Sequence, residues 1–128
     1  MNVSPALQQA AQAAVDRLMR ELKGVRAVVI ASEDGFELAG RMENSAQVAR
    51  LSALASSLAA LGALAGEESS LGACDNVTIE AAHGHLVMVR ARHPEIDLII
   101  SVVTSREAII GQVLYMSKLS ARQLGSQG

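Results

Sequence analysis

From Leu51 to Gly66 the chain reads LSALASSLAALGALAG, an apolar run at helical spacing with no charged and no aromatic side chain. Leu51, Leu54, Leu58, Leu61 and Ala65 recur at steps of three and four and share one face, while Ala49, Ala53, Ser56, Ala60 and Ala63 share the opposite one. The leucines predict the face that meets the rest of the domain. The small residues occupy the side where a lone surface helix would carry Lys and Glu, so a second surface is expected to cover them.

The remaining segments have ordinary patterns. Ser4 and Pro5 start a helix that runs to about Lys23, since the hydroxyl can cap free amides and proline loses nothing at the first position. Its buried stripe is Leu7, Ala11, Ala14, Leu18 and Leu22, with Gly24 as the left-handed stop. VRAVVIA, Val25 to Ala31, is apolar on both pleat faces apart from Arg26, as in a strand covered on two sides. Glu33, Asp34 and Gly35 form a turn, and FELAG returns as the second strand of a hairpin. Asn44 or Ser45 then caps the uncharged helix, Ala46 to Gly66, which is expected to close at Gly62 or, by preference, at Gly66.

After the polar link EESSLGACD, Val77 and Ile79 alternate with Asn76, Thr78 and Glu80 across Asn76 to Ala82, the half-polar pattern of a sheet edge. His83, Gly84 and His85 turn into LVMVRAR, and LIISVV at 98–103 reads as a central strand, so the third to fifth strands form a meander. Thr104 or Ser105 is expected to cap a final helix with Glu107 in its first turn and Ile110, Val113, Leu114 and Ser117 at helical spacing, fraying after Leu124. The order is helix, two strands, helix, three strands, helix. With no repeat and no linker, residues 1–128 read as one domain with an ordered core at about 4–124.

Composition narrows the function. Half of the 128 residues are apolar, yet only Phe36 and Tyr115 are aromatic, so the core must be packed from Ala, Leu, Val and Ile. A net charge of −2 and no set of stacking aromatics argue against nucleic-acid binding. Cys74 stands alone, which excludes an internal disulfide and fits a reducing compartment; MNVSPALQQAAQAAVDRLMR has no basic leader ahead of an apolar run, and a cytoplasmic location is expected. The stretch Ala46 to Gly66 is too rich in Ala, Ser and Gly for membrane insertion, and Arg50 lies near its start.

No catalytic, cofactor or metal site emerges. His83 and His85, with Glu80 or His93 as a third ligand, could face one way on a strand, but a polar turn explains them more simply. Cys74 lacks a local nucleophile signature, and Glu33, Asp34 and Glu37 crowd a hairpin tip that offers no cleft. GxxxxGK[ST] is absent, so the chain is not itself a nucleotide-hydrolysing P-loop protein; Arg41, Arg50, Arg90 and Arg92 could reach a partner's active site, but read more simply as solvated side chains.

The element order, the segment LMRELKGVRAVVIASEDGFELAG, the small-residue helix and the LVMVRAR and LIISVV strands together resemble the Roadblock family of dynein light chains and bacterial small-GTPase partners. Lys23 stands where that family often has proline before Gly24. The resemblance implies a five-stranded antiparallel sheet, profilin-like in the α/β (α+β) class, between one helix on one face and two on the other. It also implies a homodimer in which the third strands pair and the second helices lie together, forming a non-enzymatic platform for a Ras-like GTPase.

The residue pattern agrees with such a dimer, because an open strand edge and an uncharged helix face can both be covered by one two-fold operation. Asn76, Val77, Thr78, Ile79, Ala53, Ser57 and Ala60 are accordingly expected at the dimer interface, and Ala49, Ser52, Ser56 and Ala63 at the GTPase contact. The alternative is a small-ligand sensor built on a similar sandwich, which would need a cavity.

Overall fold

The computed structural model describes residues 3–42 and 45–126. Its elements are α1 (Pro5–Glu21), β1 (Val25–Ser32), β2 (Glu37–Arg41), α2 (Ser45–Glu68), β3 (Asn76–Ala81), β4 (Gly84–Ala91), β5 (Leu98–Ser105) and α3 (Ile110–Gly125). The five strands form one sheet in the order β2-β1-β5-β4-β3, and every adjacent pair is antiparallel. The expected central strand β5 lies in the middle, and the half-polar β3 lies at an edge.

Strand register sorts side chains into rows that cross the sheet. Val28, Val102 and Val87 align in one row and Ile30, Ile100 and Val89 in the next, and all six are buried under α1 and α3. Leu7, Ala11, Val15 and Leu18 of α1, with Val113, Ala121 and Leu124 of α3, close this main core. Val15, fully buried, completes the inner stripe of α1, and Ala14 packs half-buried at its margin. On the opposite face run the rows Val29, Ser101, Met88, Val77 and Ala27, Val103, Leu86, Ile79, and α2 packs on this side.

The helix boundaries follow from local hydrogen bonding. The Ser4 hydroxyl accepts from the Leu7 amide at 3.1 Å, and Gly24 at φ +80° and Gly35 at φ +92° hold the left-handed geometry needed after α1 and in the β1–β2 turn. The cap expected at Asn44 lies outside the described residues. The far end of α2 departs from expectation: the helix continues through Gly66 to Glu68. Ser70, at φ +58°, stands just beyond it, with the Ser70 amide donating to Glu67 O at 3.1 Å and Leu71 N to Gly66 O at 2.8 Å. This is a Schellman closure, with serine in the position usually held by glycine.

The start of α3 is also corrected. Thr104 and Ser105 remain in β5, held by pairing of Val25 with Thr104 and of Gly84 with Ser105, so neither caps a helix. The Ser105 hydroxyl instead accepts from the Glu107 amide in a turn, Glu107 precedes the helix, and α3 begins at Ile110 with no side-chain cap.

Candidate interaction surface

Helix α2 sits on the sheet in a different rotation from the one its leucines predict. Val48, Leu51, Ser52 and Ala55 point inward, whereas Leu54 is 57% exposed, Leu61 61% and Leu64 52%. The reason is close approach. A Cβ on Gly62 would come within 2.9 Å of Cys74 Sγ and 3.0 Å of Val77 Cγ2, and one on Gly66 within 2.5 Å of Gly72 O. Small residues at 55, 59, 62 and 66 therefore bring the helix against β3 and its leading loop, and leucine on that side would hold it off. That spacing of Ala and Gly was the available sequence signal for the inner face.

The residues singled out on α2 separate accordingly. Ala53, Ser57 and Ala60 lie exposed on the outward face beside the three leucines, and Ala49 is exposed on a flank. Ser52 is fully buried and donates to Val48 O at 2.9 Å, so it lies beneath the helix and presents no surface. Ser56 is half-buried and donates to Glu33 O, tying the helix to the β1–β2 turn, and Ala63 is also half-buried. Although Gln47–Glu68 is apolar and long enough by composition to cross a membrane, its inner face lies on the sheet.

Beside α2 the sheet itself is incompletely covered. The row Ala27, Val103, Leu86, Ile79 runs from buried Ala27 through half-buried Val103 and Leu86 to Ile79, which is 38% exposed at the edge. Leu58 packs in the same cluster as Leu86, one helical turn from both Leu54 and Leu61. An apolar surface thus passes without a break from the outer ridge of α2 onto the open end of the sheet.

At the edge, β3 pairs with β4 alone. The Arg90 amide donates to Asp75 O at 3.1 Å, and antiparallel alternation then turns the backbone N–H and C=O of Asn76, Thr78 and Glu80 outward. Their side chains face the α1–α3 side and those of Val77 and Ile79 the α2 side, so all four predicted strand residues sit on the free edge.

The other candidate groups are dispersed. His83 is exposed in the turn, but His85 belongs to β4, half-buried, with Nε2 3.5 Å from a Glu80 carboxylate oxygen. Among the described residues, no three His, Cys, Asp or Glu side chains converge as metal ligands. Cys74 Sγ donates to Asn76 O at 3.4 Å. Arg41 pairs with Asp16 at 3.9 Å and Arg90 with Glu33 at 3.2 Å, so both are engaged within the chain. The space between α2 and β3, lined by Ala59, Cys74 and Val77, amounts to about 10 Å³, room for about one water and none for an organic ligand.

Comparison with known proteins accords with this architecture. The Roadblock/LC7 domain of Streptomyces avermitilis superposes with a TM-score of 0.80 at 21% identity, covering 88% of this chain and 92% of that one. Gliding protein MglB of Thermus thermophilus superposes at 0.81 with 17% identity over 96% of this chain and 91% of its own. Myxococcus xanthus MglB does so at 0.81 with 15% identity over 98% and 92%. These identities speak to the fold, and no curated protein sequence matches the chain. The sequence model for the Roadblock/LC7 domain matches residues 11–103, and the chain belongs to the Roadblock/LC7 family.

Proposed function

We propose that the protein is a cytoplasmic homodimeric adaptor, without catalytic activity of its own, that binds a Ras-like small GTPase and modulates its nucleotide cycle. The observation that carries the reading is the continuous apolar surface of Leu54, Leu61, Leu64 and Ile79 next to the open edge of β3. A second copy related by a two-fold axis would extend the sheet through Asn76, Val77, Thr78 and Ile79 and pack α2 against its mate through Ala53, Ser57 and Ala60, with Leu54 and Leu61 added to that contact. Each leucine taken from half exposure to burial would contribute about 1 kcal/mol.

In the dimer the paired α2 helices and joined sheet form one platform, with Ala49, Ser56 and Ala63 on its flanks toward the GTPase. Such a regulator acts by binding one nucleotide state more tightly than the other, since equal affinity shifts no equilibrium. The family supplies the GTPase as partner class; the surface supplies the means of association. The test is a pull-down of Ras-like GTPases from the same genome in GDP and GTP-analogue states, followed by sizing of the complex. A complex that prefers one state and contains two copies of this chain is expected. No complex with any GTPase in either state would overturn the reading.

A further inference from the structure

On the α3 side of the sheet, away from the apolar surface of α2, lies an open cleft of about 610 Å³ between α3 and the end of β4. Its rim carries Arg92, Lys118 and Arg122, all exposed, and none of the three makes an ion pair or a side-chain hydrogen bond among the described residues. Lys118 and Arg122 stand one turn apart on α3, a like-charge arrangement that costs a helix a few tenths of a kcal/mol, and α3 has no acidic residue to offset it. Asp75 is the one carboxylate on the lining, and Arg90 is already held by Glu33, so the free groups leave an excess of positive charge in a chain whose net charge is −2. The floor is apolar, with Val89 and Ala121 buried.

We propose that this cleft binds an acidic peptide segment of a partner protein. Three unpaired cations above an apolar floor match side chains that end in carboxylate and carry methylenes: guanidinium forks take carboxylates in bidentate fashion, and Val89 and Ala121 accept the aliphatic stems. The lining has no aromatic ring on which a base could stack, which favours a peptide over a nucleotide. Asp75 at the rim opposes a dense polyphosphate and is tolerated by a chain with spaced charges. The cleft is lined by residues of one chain, none of them among those assigned to the proposed dimer or GTPase contacts.

Fluorescence anisotropy with a fluorescein-labelled hexaglutamate peptide tests the assignment, with hexaglutamine as the neutral control and inorganic tripolyphosphate as competitor. Hexaglutamate should bind, hexaglutamine should not, and added salt should weaken the complex. The double variant Lys118→Glu/Arg122→Glu should bind about tenfold more weakly. Lys23→Glu/Arg26→Glu, an equal change of charge at the opposite end of the sheet, should change affinity less than about twofold. Thermal melts of both variants establish that each is folded. Equal loss in the two variants, no loss in either, or a tripolyphosphate complex tighter than the hexaglutamate complex would overturn the proposal.

Discussion

The two faces of the sheet are built from similar residues and finished differently. Beneath α1 and α3, Val28, Val102, Val87 and Ile30, Ile100, Val89 are all buried, and at the β3 edge their rows end in the polar Thr78 and Asn76. Beneath α2, only part of the surface is sealed: Val29 and Met88 are buried, whereas the row ending in Ile79 opens toward the edge, and the helix above it turns leucines outward. The first face closes a core within one chain. The second has the apolar content of a core with one layer missing, which sets its exposed leucines apart from isolated ones of the ordinary kind.

Substitutions can break this contrast or sharpen it. The largest effect belongs to the sealed face: Leu18→Ala, at a site with no exposure, should lower folding stability by about 3 kcal/mol in urea denaturation. Next comes the inner side of α2, where Gly62→Leu must displace Cys74 and Val77 and should cost about 2 kcal/mol. Leu64→Ser, two residues along but on the outer side, should change the protomer's own stability by no more than about 1 kcal/mol, measured at concentrations too low for association. A loss at Leu64 as large as that at Gly62 would mean that both sides of the helix serve one internal core. A small effect of the opposite sign belongs to Ser70→Gly, which relieves a left-handed serine and should raise the melting temperature, corresponding to about 0.5 kcal/mol.

Much of this architecture is legible in residue order. Pro5 and Gly24 bracket α1, the run Val25 to Ala31 announces a doubly covered strand, and the alternation of Val77 and Ile79 with polar neighbours marks an edge. The rotation of α2 about its axis was harder to read. Nearly all its positions are apolar or small, so helical periodicity offers two faces of similar character, and leucine bulk suggests the wrong one. What decides is the distance between helix and sheet, a tertiary quantity visible in sequence only as Ala55, Ala59, Gly62 and Gly66 in register. The ends of α2 and α3 escaped for a related reason. Ser70 adopts a backbone conformation that its identity does not advertise, and strand pairing overrides the capping preference of Thr104 and Ser105.

The account turns on whether the unfinished face is completed by a second copy. Light scattering coupled to size exclusion, performed at micromolar concentration on the native chain and on Leu61→Arg, asks this directly. The native protein should elute with twice the 13.4 kDa mass of one chain, and the variant, with unchanged circular dichroism, with the mass of one. A native monomer, or a dimer indifferent to arginine at position 61, would contradict the account.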